Sequence, residues 1–539
     1  MSFASPFPEV DIPSTSVYDF LFADIDGADL DRVALVDAKS GGQTSYREMI
    51  GRIDAFAGAV AGRGIGVGDV VGLLSPNSSG FAVAFHGILR AGATATTINA
   101  LFIAKDIATQ LTDSKAKMLV TVTPLLAQAE EAAAATGLAD TDVVVLDGQG
   151  QDATGHPNAA DLMANGQPAP QVSFAPSTHV AVLPYSSGTT GNPKGVMLTH
   201  RNLVANIAQI RPLHGMDGDD VVLAVLPFFH IYGLTVLLNA AVHARARLVI
   251  MPSFDLEKFL GNIQNHKCTI AFIAPPVAVA LAKHPVVDSY DLSSLSTVMS
   301  AAAPLDADLG HAVAKRLGCR VVQGYGMSEL SPASHITPFD GGQQDMGTIA
   351  PLGSVGWTVS NAASKIIDPE TGDEINPPAQ GLSDTGELWF KGPNVMAGYL
   401  GNEKATRETI DEDGWLHTGD LARVDSCGCV YIVDRLKELI KYKGHQVPPA
   451  ELEAVLLSHL GIADAAVIGV NDAEGKEVPK AFVVKQSGAE LTEDQVMEFV
   501  AGQVAPYKKV RQVEFIDAIP KSASGKILRK DLRTAGGRG

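Results

Sequence analysis

From about Val33 to Ile250 this chain alternates short apolar runs with amphipathic stretches, and that alternation narrows its possible folds more than any other feature. Val70-Val-Gly-Leu-Leu74 reads as a strand that passes through Ser75-Pro-Asn77 into a helix ending near Leu89. Met118–Val122, Val143–Leu146, Val180–Pro184 and Val221–Val225 repeat the strand signature, with helices read over Ala127–Gly137 and His200–Ile210. Strands this apolar are covered on both faces, and strand–helix alternation builds a mostly parallel sheet. Gly148–Ala175 reads as a surface connection. Gly341–Tyr399, rich in Gly and Pro with short runs such as Gly386–Phe390, reads as a smaller β subdomain. Near residue 434 the composition changes to the charged run Asp434–Gly444. Pro448-Pro449 then opens a helix over Glu451–His459, and apolar runs at Ala465–Val470 and Ala481–Val484 complete a compact αβ unit.

A chain of 539 residues exceeds a single core, so more than one domain is expected. Its net charge of −19 and the lack of a basic stripe argue against nucleic acid and anionic membranes as partners. The four cysteines are too few for a disulfide framework, and Cys427-Gly-Cys429 has no second pair to complete a zinc site. Met1–Pro13 is not a secretory signal, and no apolar run reaches the roughly 20 residues of a membrane span. A cytoplasmic location is expected. Thr534–Gly539 is expected to be disordered.

Chemistry concentrates in a few segments. Ser186-Ser-Gly-Thr-Thr-Gly-Asn-Pro-Lys-Gly195 gathers hydroxyls, glycines and one lysine. It can turn backbone N–H groups, hydroxyls and an ammonium toward a polyphosphate, although its spacing is not that of the usual P-loop. In Gln323-Gly-Tyr-Gly-Met-Ser-Glu329, glycines flank Tyr325 so that a planar ligand can lie on its ring, and Glu329 can hold Mg²⁺. Trp415-Leu-His-Thr-Gly-Asp420 ends in a carboxylate suited to a ribose diol. Pro520-Lys-Ser-Ala-Ser-Gly-Lys526 sets a lysine behind a glycine on a loop. Taken singly, the last two read equally well as a turn aspartate and a solvated basic tail.

Together and in this order, the segments YSSGTTGNPKGV, QGYGMSE, WLHTGDL, VDRLKELIKYKG and PKSASGK resemble the adenylate-forming superfamily of acyl-CoA synthetases, firefly luciferase and peptide-synthetase adenylation domains. LPFFHIYG, SAAAPL and VDRLKELIKYKGHQVPPAELE look most like 4-coumarate–CoA ligases. The resemblance covers nearly the whole chain. It implies an α/β fold: a large N-terminal domain (1–435) of two αβ subdomains plus a small β subdomain, and a small mobile α+β C-terminal domain (436–539) hinged near Lys437. It implies ATP, Mg²⁺ and coenzyme A, and two half-reactions, acyl-adenylate formation and then transfer to the thiol.

Carried over by motif, Lys194 and the loop Ser186, Ser187, Gly188, Thr189 and Thr190 would hold the β- and γ-phosphates, with Mg²⁺ near Glu329. Ala302, Gln323, Gly324 and Tyr325 would line the adenine. Ser328 would approach the α-phosphate, and Asp420 and Arg435 would fix the ribose. Lys526 would bridge the reacting anions, with Lys441 and Gln446 in support. His230 would gate the acyl site, and Lys443 and Gly444 would contact coenzyme A. Tyr232, Val277, Ala301, Gly324, Gly326, Pro332 and Ala333 would line the acyl pocket.

Amino-acid adenylation needs a carboxylate for the substrate ammonium, and Phe228-Phe-His-Ile-Tyr232 carries none. No carrier-protein domain follows Lys526 in this sequence. A small carboxylic acid such as cinnamate or 4-coumarate is therefore expected, with fatty acyl-CoA synthetase and luciferase-like oxygenase as alternatives. A silent nucleotide-binding scaffold is disfavoured by the retained Lys194, Glu329, Asp420 and Lys526. Some positions depart from the family pattern. Ala301 stands where the family often has Gly, Val236 replaces a small polar residue, Ser253 stands where relatives often carry a cation, and His445 replaces an aromatic residue.

Overall fold

The computed structural model describes residues 3–148, 155–186, 193–343, 348–443, 445–472, 476–522 and 525–536. Among them, the chain forms two large αβ layers, an antiparallel sheet and a small tail module. A nine-stranded sheet runs, in spatial order, Trp357–Thr358, Ala333–Ile336, Arg320–Gly326, Thr297–Ser300, Ile270–Ile273, Val221–Ala224, Arg247–Ile250, Val33–Asp37 and Gln43–Ser45. The strands from Arg320–Gly326 through Val33–Asp37 are parallel, and antiparallel pairs close both edges. An eight-stranded sheet is built around Thr94–Ile98, Val70–Leu74, Met118–Thr121 and Val143–Val145, all parallel. The predicted alternation is therefore realised as two sheets.

The main core lies between these layers, where Phe81, Phe85, Phe228, Leu203, Ile207 and Leu248 are fully buried. A second core, around Phe259, Leu260, Ile273 and Leu281, fills the outer face of the nine-stranded sheet. Helix starts follow local chemistry. Thr199 accepts from Asn202 N–H while the Asn202 side chain accepts from Thr199 N–H, so helix His200–His214 begins where the preceding strand ends.

The region after Lys194 differs from the expectation of strand, loop and helix. Lys194–Thr199 is itself a strand, and its Lys194 and Gly195 pair with Ser186 and Tyr185. Val196 and Leu198 are buried at a spacing of two, a strand period too short to stand out in the sequence. The phosphate-loop segment thus connects the arms of a hairpin, and Ser187–Thr190 fall outside the described residues. The β subdomain also has other bounds. Phe3–Ala4, Ala363–Ile367, Glu374–Ile375, Gly386–Lys391, Leu416–Val424 and Val430–Arg435 form a six-stranded antiparallel sheet, whereas Gly398–Tyr399 joins the eight-stranded sheet. The expected surface connection contains a helix, Ala159–Ala164, capped by the Asn158 side chain.

The chain leaves the antiparallel sheet at Arg435 and enters the tail hairpin Ile440–Tyr442/His445–Val447. Ile462–Asn471, Glu477–Lys485 and Gln512–Phe515 form a three-stranded sheet covered by helices Pro449–Ser458 and Glu493–Ala501. Ile440, Val447, Leu452, Leu456 and Val467 give this module its own core. Helix Arg529–Gly536 continues into the terminal stretch that was expected to be disordered. Among the described residues no helix is long and apolar enough to cross a membrane.

Candidate active site

The C-terminal ends of the parallel strands converge on one cleft, as open α/β sheets favour. Val221–Ala224 leads into the loop carrying His230 and Tyr232, and Ile270–Ile273 leads into Ala274 and Pro275. Thr297–Ser300 leads into Ala301 and Ala302, and Arg320–Gly326 ends in the Gln323–Gly326 segment. The antiparallel sheet brings Asp420 and Arg435 opposite each other on adjoining strands.

Asp420 is the electrostatic centre of the cleft. Its Oδ2 accepts from the Tyr325 hydroxyl at 2.6 Å, and its Oδ1 lies 3.3 Å from Arg435 Nε. Burial raises the Asp420 pKa, while Arg435, the Tyr325 hydroxyl and Lys526 pull it back. The same burial, reinforced by Asp420, raises the Tyr325 phenol. Lys526 is half-buried here as well. Desolvation, and then repulsion from Arg435, bring its pKa down to about 8, opposed by Asp420, Glu438 and Glu329. Burial, and then the Lys526 charge, hold His230 at about 4, so its imidazole is neutral at physiological pH.

Glu329 belongs to the same field. It is buried, and its Oε1 accepts from the Tyr399 hydroxyl at 2.9 Å. Lys194 Nζ sits 4.7 Å from the centroid of the Tyr399 ring. Tyr399 thus ties the lysine at the end of the phosphate-loop segment to the carboxylate of the next motif. Sequence reasoning passed over it, and its only signal was an aromatic following Gly398 at a strand end. Ser328 opens the short 3₁₀ turn Ser328–Leu330 that carries Glu329, and Ser186 closes the strand Tyr185–Ser186.

Gln323 and Ala302 are placed in unexpected ways. The Gln323 amide donates to the Leu305 and Leu352 carbonyls and accepts from Leu305 N–H, so its side chain is spent on the segment before Trp357–Thr358 and on the loop after Thr297–Ser300. On the loop after Thr297–Ser300, Ala302 takes φ +76°, a left-handed backbone that costs a non-glycine residue about 1–2 kcal/mol.

The residues expected around the acyl group divide. Tyr232, Ala301 and Ala333 are buried in the main core beside Met299 and Val236. The Tyr232 hydroxyl is 3.5 Å from the Met299 carbonyl, and its ring meets Phe272 edge-on at 6.4 Å. Tyr232 opens a π-helix, Tyr232–Asn239, a wider winding often found at functional sites. A Cβ on Gly324 would stand 2.5 Å from Met299 Cε. Gly326, Pro332 and Ala333 meet where two antiparallel strands close. Val277, by contrast, is half-buried on helix Pro275–Lys283 and packs against the second core.

The tail module contributes Lys526 to the cleft and little else from the expected set. Lys441 and Gln446 are cross-strand partners in the tail hairpin, and both are exposed. Lys443 is exposed at its turn, with φ +49°, and Gly444 lies outside the described residues. Lys437 is exposed in the turn between sheet and tail. Within the tail, Arg529 braces the segment next to this joint, with Nη1 2.7 Å from Glu438 and Nη2 2.6 Å from the buried Glu453. Asp434, at the end of the antiparallel sheet, accepts from Ala450 N–H in the first turn of the tail helix at 2.8 Å.

Comparison with known proteins places this geometry. The family described as AMP-binding enzyme matches residues 23–400, and the AMP-binding enzyme C-terminal domain matches residues 451–526. A relative from Oryza sativa subsp. japonica, 4-coumarate–CoA ligase 5, is 42% identical over 538 residues, which is 98% of this chain and 96% of the relative. ATP-bound MatB from Rhodopseudomonas palustris superposes with a TM-score of 0.86 at 29% identity, covering 98% of this chain and 99% of that one. The apo form of the same protein superposes at 0.75, with the same identity and coverage.

Gly326 offers a test of how tightly this end of the site is built. A Cβ there would stand 2.0 Å from the Pro332 carbonyl oxygen. Gly326→Ala is expected to destabilise the chain by about 1–3 kcal/mol through forced backbone movement, measured by urea unfolding.

Proposed function

The chain belongs to the AMP-binding enzyme family, and from that premise we propose that it is an ATP-dependent acid–CoA ligase acting on a cinnamate-type acid such as 4-coumarate. The observation that carries this reading is the Lys526 ammonium, half-buried in the cleft within the field of Asp420, Arg435, Glu329 and His230. A mobile cation at that point does one thing well: it lets two anions approach each other.

In the first half-reaction a carboxylate oxygen of the acid attacks the α-phosphorus of ATP. The bond to the bridging oxygen breaks, and pyrophosphate leaves with the electron pair. Lys526 neutralises the acid and the α-phosphate together. Lys194 and the segment from Ser186 through Thr190 hold the leaving phosphates, and Ser328 faces the α-phosphate. The Tyr325 ring, with Ala302, Gly324 and the backbone at Gln323, receives the adenine. Asp420 and Arg435 receive the ribose.

Glu329 would hold Mg²⁺, which supplies charge neutralisation on the phosphates. With Oε1 engaged by Tyr399, its carboxylate is fixed in orientation.

In the second half-reaction the thiolate of coenzyme A attacks the acyl carbonyl and AMP leaves. Lys526 and the thiol cannot share the space, so the tail turns about Lys437 and presents Lys443 and Gly444 to coenzyme A. The exposure of Lys443 while Lys526 is half-buried in the cleft supports this division of labour. A neutral His230 can line both the acyl site and the thiol path without a charge to desolvate. The acyl end is aromatic and small, with Tyr232, Phe272, Ala301 and Ala333, which suits a flat conjugated acid.

Lys526→Ala is expected to lower acid-dependent ATP–pyrophosphate exchange at least about a hundredfold, while thioester formation from supplied acyl-adenylate stays within a few-fold. Loss of both steps in equal measure would overturn the assignment. The ammonium exists below its pKa, so kcat/KM for adenylation should be level below pH 7 and fall as pH rises through about 8. A flat profile to pH 9.5 would contradict that role. Ala301→Gly removes one methyl from the pocket and should raise ferulate use relative to cinnamate about five- to tenfold, read as a ratio of kcat/KM values.

A further inference from the structure

Helix Pro275–Lys283 meets the tail module at both of its ends. At its start Ala274 and Pro276 lie against Gly525, the residue before Lys526. A Cβ on that glycine would stand 3.0 Å from Ala274 Cβ and 3.6 Å from Pro276 Cδ, and its φ is +84°. At its other end Lys283 Nζ donates to the backbone carbonyls of Leu457 at 2.7 Å, Ile462 at 3.2 Å and His459 at 3.4 Å. At a rise of about 1.5 Å per residue, the two contacts are about 13 Å apart along the helix.

Leu457 lies in the last turn of tail helix Pro449–Ser458, His459 is its C-cap, and Ile462 opens the strand that follows. A helix leaves its last carbonyls without intrahelical partners and carries the negative end of its dipole there. An ammonium has three donors and no acceptor, so these carbonyls match it donor for donor. Burial lowers the Lys283 pKa. The lysine springs from a fixed base: Arg316 Nη1 donates to the Leu281 and Ala282 carbonyls at 3.1 and 3.0 Å, and the same guanidinium pairs with both Asp288 oxygens at 2.9 and 2.8 Å.

We infer that Lys283 is a positioning residue for the adenylate-forming half-reaction: its ammonium caps the tail helix and fixes the tail module in the pose that delivers Lys526, a contact that breaks when the tail turns for thioester formation. The inference rests on the role proposed for Lys526. A contact made in one pose and absent from the other shifts the balance between them by its own free energy. Lys283 touches neither reacting group, so its removal should act on one half-reaction alone.

The test compares Lys283→Met, which keeps the apolar stem and removes the ammonium, with Lys283→Arg, Lys526→Ala and the Lys283→Met/Lys526→Ala double variant of the full chain. Acid-dependent ATP–pyrophosphate exchange and coenzyme A acylation from supplied acyl-adenylate are measured for each. Lys283→Met should slow exchange about tenfold, equivalent to about 1.4 kcal/mol, and leave acylation from the adenylate unchanged or faster. Lys283→Arg should recover part of the exchange rate. The double variant should be no slower than Lys526→Ala, since Lys283 acts only by delivering that lysine. Exchange within twofold of the parent in Lys283→Met, equal slowing of both half-reactions, or compounding losses in the double variant would each overturn the inference. Lys526→Ala with normal exchange would instead overturn the reading of Lys526 itself.

Discussion

A lysine ammonium taken out of water must be met by opposite charge or by oriented dipoles, and the architecture around Lys526 follows from that requirement. The lysine belongs to the tail module, whereas Asp420 and Glu329 belong to the larger body. Neither part supplies a tolerable environment alone. The body without the lysine holds buried carboxylates, of which Asp420 is already pushed toward protonation. Even in the assembled cleft the compensation is incomplete, since Arg435 repels the ammonium and desolvation outweighs the attraction. Such a cation is poised to be met more fully by arriving anions.

The joint between body and tail solves a related problem. Asp434 caps the tail helix from the sheet and Lys283 reaches the tail carbonyls, while Arg529 pairs with Glu438 and Glu453 inside the tail. Glu453 accepts from Val467 N–H as well as from Arg529, yet burial still raises its pKa to about 7. The hydrogen bonds that cross the joint, each worth about 1 kcal/mol net, can be remade at modest cost. An apolar seam of comparable size would resist opening in proportion to the area it exposed.

What the sequence made legible is what local chemistry determines. Apolar runs of fixed period announced the parallel strands, and Pro449 announced the first turn of a tail helix. Asp420 and Lys526 stood out because a glycine directly before each gives a motif a recognisable shape. Less legible were roles set by distant partners. Gln323 reads as a ligand residue until Leu305 and Leu352 are seen to take its amide. Tyr399 and Lys283 carry no local signature, because their partners Glu329 and Leu457 are far away in sequence. The strand Lys194–Thr199 was hidden for another reason: a six-residue run offers too few periods to separate strand from the start of the helix behind it.

The hydrogen bond from Tyr325 to Asp420 has a consequence for which nucleotides can settle in the cleft. The phenol takes one acceptor position of the carboxylate, which leaves Oδ1 and a second lone pair on Oδ2 for a sugar diol under the proposed binding mode. In that mode base stacking and sugar recognition would be mechanically joined through one short bond. A sugar lacking one hydroxyl would then leave an acceptor of the buried carboxylate unmatched, so the two side chains proposed to receive a ribonucleotide would fit its deoxy counterpart less fully.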